Sequence, residues 1–135
     1  MLTRRTLSLD DARKIAAAAS AKARAEGWNV VIAVLDQGGH LLYLERADGA
    51  LPGSVPVAQD KARTALLFRR PTRAFQDMLA EGRMHMMALP GVIPVEGGLP
   101  LTSDGEVVGS IGVSGVQSIQ DGQVAAAGAA AMALL

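Results

Sequence analysis

The chain contains no cysteine, which excludes disulfide frameworks, thiolate nucleophiles and thiolate metal sites together. That absence fits a reducing compartment, and cytoplasmic residence is the expectation. Aromatic residues make up only 3% of the 135 positions although 50% are hydrophobic, so the core must be built from Ala, Val, Leu and Ile. Neither charge sign is in excess: thirteen Lys and Arg balance thirteen Asp and Glu. Without a net field there is nothing to draw in a polyanion, and a nucleic-acid partner is not expected. Histidine occurs only as His40 and His85, with no H-x-x-x-H or H-E-x-x-H spacing and no carboxylate cluster, so no permanent all-protein metal site is expected. Long apolar runs are missing as well. The longest, Val124 to Leu135, is alanine-rich, too short to cross a bilayer, and reads as a buried helix. The basic start Met1-Leu2-Thr3-Arg4-Arg5-Thr6 is followed by Asp10, Asp11, Arg13 and Lys14 where an export signal needs an apolar stretch, so no such signal is expected.

What remains reads as a single α/β domain over residues 1–135. Ser8-Leu9-Asp10-Asp11 has the spacing of a helix capping box, and Ala12, Ile15, Ala16, Ala19 and Ala23 form an apolar stripe that Gly27 ends. Val30 to Leu35 is a continuous β-branched run, as in a central strand covered on both faces, and Leu41 to Glu45 is its hairpin partner. Ser54 is placed to cap a second helix carrying Ala58, Ala62, Ala65 and Phe68, which Pro71 stops. Thr72 to Glu81 predicts a third helix closed by Gly82. Strands follow from Val95 to Leu101 and in a hairpin from Leu101 to Gly115, turned at Asp104-Gly105. Ser118-Ile119-Gln120-Asp121 then opens the terminal helix. The expected architecture is an antiparallel sheet of about five strands with helices packed on it. Smooth alanine faces on the first and last helices, in so apolar a chain, predict a homo-oligomer.

The most unusual segment is Val107-Val108-Gly109-Ser110-Ile111-Gly112-Val113-Ser114-Gly115. Strand alternation puts Val108, Ser110, Gly112 and Ser114 on one nearly bare face. Glycine weakens a strand, so its repetition implies that something comes very close to the backbone: the terminal helix, which is the simpler account, or a flat ligand. Gly97-Gly98 beside Pro100 forms a second cluster, either an ordinary bulge or a set of backbone donors for a carboxylate. His85 lies among Met84, Met86 and Met87, a soft patch suited to a packed loop, a subunit contact or a large apolar ligand. His40 follows a Gly-Gly turn and reads as solvated. Lys61 falls at the border of the second helix's apolar stripe, where it is either a solvated lysine or a grip for an anion. Arg46 and Asp48, beside Gly49, either line a rim or pair with each other.

Taken together, Val34-Leu35-Asp36-Gln37-Gly38-Gly39, Arg46-Ala47-Asp48-Gly49-Ala50, Lys61-Ala62-Arg63-Thr64-Ala65, Gly97-Gly98-Leu99-Pro100-Leu101 and Val108 to Gly115 resemble the GlcG/HbpS-like family, which includes the C-terminal domain of PduO-type proteins. The blocks occur in family order along almost the whole chain. The resemblance implies a profilin-like fold, self-association and, in some members, binding of haem or a related tetrapyrrole. It places the family's lysine block on Lys61 and Thr64, its double glycine on Gly97 and Gly98, its final block on Gly109, Gly112, Ser114 and Gly115, and its acidic residue on Asp121. The first helix and the lysine block carry no histidine here, so a site region is carried over without an axial ligand. The leading expectation is a small-ligand-binding protein for haem or a related tetrapyrrole, accessory to small-molecule metabolism. The alternatives are an enzyme or accessory acting on a small carboxylate or hydroxy acid through Lys61 and Gly97-Gly98, and a structural oligomer stabilising a partner enzyme.

Overall fold

The computed structural model describes all 135 residues. Helix α1 (Leu9–Glu26) is followed by the hairpin β1 (Val31–Asp36) and β2 (Leu41–Arg46), then by α2 (Ser54–Phe68) and α3 (Thr72–Ala80). A 3₁₀ turn (Met84–Ala88) leads to the hairpin β3 (Gly98–Ser103) and β4 (Glu106–Ser114). Helix α4 (Ser118–Ala130) and a last 3₁₀ turn (Ala131–Leu134) close the chain. The sheet is wholly antiparallel in the order β2-β1-β4-β3. No helix is long and apolar enough to cross a membrane.

Helix α1 begins as its sequence requires: Ser8 Oγ accepts from Asp11 N–H at 3.1 Å while Asp11 Oδ2 accepts from Ser8 N–H at 3.0 Å. That backbone donor holds the Asp11 carboxyl below its ordinary value. Gly27, with φ of 73°, ends the helix in the left-handed region. The continuous β1 run is explained by its two covered faces. Ile32 and Val34 join Ile15, Ala16, Ala19, Ile111, Val113 and Val124 in the main core under α1 and α4, whereas Val31 and Ala33 pack on Ala58 of α2. Asp104 and Gly105 both take positive φ, 51° and 77°, which is the two-residue turn their sequence calls for.

Three expectations are corrected. The sheet has four strands, because the segments expected at Val95–Leu101 and from Leu101 onward are one strand: Gly97, at φ 135°, turns the chain, so pairing begins only at Gly98. The alternation along β4 breaks at Val108. Leu101 pairs with Gly109 and Thr102 with Val107, so Val108 is an extra, bulged residue and joins the core on the α1 side. The helix caps also shift. Gly53 precedes α2 without a side-chain bond, and α4 is capped by Gln117 with Gln120, which frees Asp121 for another role.

Candidate functional site

The bare face of β4 is covered, and by α2 rather than by the terminal helix. A Cβ at Gly112 would overlap the Ala58 carbonyl and lie 2.6 Å from Ala62 N, both of them helix backbone. Ser110 sits on the same face, fully buried, and donates to the Ala62 carbonyl at 2.7 Å. The small residues of the two elements therefore let a helix lie directly on a strand, and no ligand-sized gap separates them.

Lys61 is not a solvated lysine. Its side chain is 2% exposed, and its ammonium donates to Asp121 Oδ2 at 3.1 Å and to the Val113 carbonyl at 3.0 Å. Asp121, equally buried, accepts from Val116 N–H through Oδ1 at 3.1 Å. Burial pushes the Asp121 carboxyl above its ordinary value, with Lys61 and the backbone donors opposing that shift. The double glycine is a consequence of this pair. A Cβ at Gly97 would stand 2.8 Å from Lys61 Nζ and 2.6 Å from the Val113 oxygen, and one at Gly98 would overlap the Lys61 carbonyl.

Neighbouring hydroxyls and amides hold the rest of this junction. Gly98 N–H donates to Thr72 Oγ1 at 2.9 Å, Glu96 N–H to Gln76 Oε1 at 2.8 Å, and Ile93 N–H to Thr64 Oγ1 at 3.0 Å. Thr64 in turn donates to the Asp60 carbonyl at 2.8 Å. Thr72, Gln76 and Ser110 as anchors escape a reading of the sequence, because hydroxyls and amides carry no spacing signal. Asp121 was signalled, as a cap and as the family's acidic residue. No buried side-chain polar atom in this region lacks a partner. The junction is thus closed and satisfied, with no orphaned group to receive a ligand.

The remaining candidates lie apart from it. Ser114 is buried at the end of β4 opposite Val31, and Arg46 stands exposed at the end of β2 opposite the same residue. Arg46 and Asp48 do not pair. His40 is exposed, its Nδ1 3.5 Å from Asp36 Oδ1. His85 projects from the 3₁₀ turn with Met84 and Met87, all three exposed. That turn places an imidazole beside two thioethers, donor types that a haem iron accepts. Nothing in the closed junction offers an equivalent.

The chain matches a known family: the family described as "Haem degrading protein HbpS-like" matches residues 7–130. The chain belongs to the HbpS-like family. Protein GlcG of Escherichia coli K12 is 44% identical over 114 residues, 84% of this chain and 85% of GlcG. Among solved structures, HbpS of Streptomyces reticuli, crystallised as a double mutant, superposes with a TM-score of 0.88 at 37% identity, covering 96% of this chain and 89% of that one. A crystal structure described as a PduOC:heme complex superposes with a TM-score of 0.84 at 28% identity, covering 93% and 94%. The HbpS-like fold of this chain is therefore shared with proteins tied by name to haem.

Proposed function

We propose that this HbpS-like chain binds haem or a closely related tetrapyrrole on its surface, through the turn that carries His85, as an accessory to small-molecule metabolism. The observation that carries the reading is the exposed imidazole beside two exposed thioethers, in a chain whose structural neighbours include a haem complex. Haem, when bound, would supply an iron that accepts a nitrogen donor. His85 would provide it, and Met84 and Met87 would cover apolar ring surface. Haemin titrated into the protein is expected to give a saturable, sharpened and shifted Soret band. The variant His85→Ala should bind about tenfold or more weakly and change the spectrum, while His40→Ala should leave both unaltered. Haemin uptake no greater than a non-specific background, or full binding by His85→Ala, would overturn the proposal.

The reading as an enzyme acting on a small carboxylate loses its anion grip. The Lys61 charge is matched by Asp121, and Gly98 N–H is committed to Thr72. Self-association remains part of the proposal, because Leu51, Leu67 and Ile119, away from the His85 turn, are large apolar side chains left exposed by the single chain. Light scattering at micromolar concentration should report an oligomer, and a monomer across that range would contradict it.

A further inference from the structure

On the opposite face of the sheet from α2, the C-terminal part of α1, the segment 27–32 and strand β2 line an open cleft of about 390 Å³. Its floor is apolar, formed by Ala23, Val30 and Ile32, and Trp28, the only tryptophan in the chain, lines it. Two opposite charges stand on different walls. Arg24, on α1, donates to Ser20 Oγ at 3.0 Å, and Glu45, on β2, accepts from Tyr43 Oη at 3.3 Å. Neither takes part in any of the chain's ion pairs. Asn29, which also lines the cleft, lies close against two glycines: a Cβ at Gly49 would stand 2.5 Å from Asn29 Nδ2, and one at Gly115 would overlap the Asn29 carbonyl.

We propose that the cleft binds a small zwitterion with an apolar side chain, of the α-amino acid class. A guanidinium recognises a carboxylate through parallel N–H donors, and a carboxylate recognises an ammonium. The indole and the aliphatic floor would take the side chain, in a volume within the range of small-molecule sites, about 300–1,000 Å³. The position of Trp28 makes occupancy directly readable, and the site is independent of the His85 turn.

The test is a titration with L-leucine, followed by Trp28 fluorescence and in parallel by isothermal titration calorimetry. The comparison ligands are 4-methylpentanoate, which keeps the carboxylate only, and 3-methylbutylamine, which keeps the amine only. Saturable heat and a fluorescence change with leucine at millimolar concentration, at least about tenfold weaker with either half-molecule, are expected. Arg24→Gln and Glu45→Gln should each weaken leucine binding by about tenfold or more while leaving the thermal midpoint nearly unchanged, since both side chains are partly or wholly exposed. Absence of saturable heat, equal binding of all three ligands, or unaltered binding by both variants would overturn the proposal. A failure here leaves the haemin titration untouched, because that experiment reads a different face of the sheet.

Discussion

Replacing Gly112 with valine should destabilise the protein by about 3 kcal/mol or more, at or beyond the upper end of the overpacking range. The reason lies in what the new side chain meets. Its Cβ would run into the Ala58 carbonyl and the Ala62 backbone nitrogen, and backbone in the middle of a packed helix cannot rotate aside as a side chain can. Accommodating it means lifting α2 from β4, which also pulls on the Ser110 bond to Ala62 and on the Lys61 pair. Gly53→Ala is the matched control, since a Cβ there meets nothing within 4 Å and the residue sits at φ −61°. Urea denaturation should show a large fall in midpoint, or loss of soluble protein, for Gly112→Val, and a change within about 0.5 kcal/mol for Gly53→Ala. An unchanged midpoint for Gly112→Val would mean that the strand face is open.

Breaking the buried ion pair should cost as much. Lys61→Met leaves Asp121 in the interior without its cation, and removal of one partner of a buried pair typically costs about 3–5 kcal/mol. Adding Asp121→Asn should recover part of the loss, because the amide oxygen still accepts from Val116 N–H and no lone charge remains. The pH dependence has a definite sign. Burial already places the folded-state pKa of Asp121 above its unfolded value, so the folded form holds that proton more tightly. Through this group, stability is gained as pH falls through the folded value and lost as pH rises through it. Removing the Lys61 charge raises that value further. The deficit of Lys61→Met relative to wild type should therefore narrow on acidification from neutrality, and the double variant, which lacks the carboxyl, should show no such acid-dependent gain. Denaturation at a series of pH values checks this, and a deficit of constant size would contradict it.

These two sites show what the sequence makes legible. Capping by Ser8 and Asp11, the Asp104-Gly105 turn and the doubly buried β1 run follow from local rules, and the structure has all three. Close approach at Gly112 was also readable, because a glycine inside a strand implies a neighbouring backbone. Which neighbour it was depended on the order of the sheet, a long-range property that period-2 alternation does not contain. The bulge at Val108 escaped for the same reason: it depends on the register between β3 and β4, and no residue type marks it. Lys61 misled most. Helical spacing put it at the border of an apolar stripe, where exposure is the common outcome, and only the fold brings Asp121 from 60 residues away to match its charge. The ligand candidates around it were legible as positions but not as roles, since a glycine that admits a lysine head and a glycine that admits a ligand look alike in sequence.

The glycine-rich junction is a closed structural joint, and the proposed tetrapyrrole site lies apart from it at the His85 turn. Ferric haem is paramagnetic and broadens the amide resonances of residues close to it, so the most direct measurement is the amide NMR spectrum of uniformly labelled protein with and without one equivalent of haemin. Selective broadening from Arg83 to Leu89, with Ser110 to Ser114 and Lys61 unaffected, is the predicted result. Broadening centred on β4 and Lys61, with the His85 turn unchanged, would contradict it.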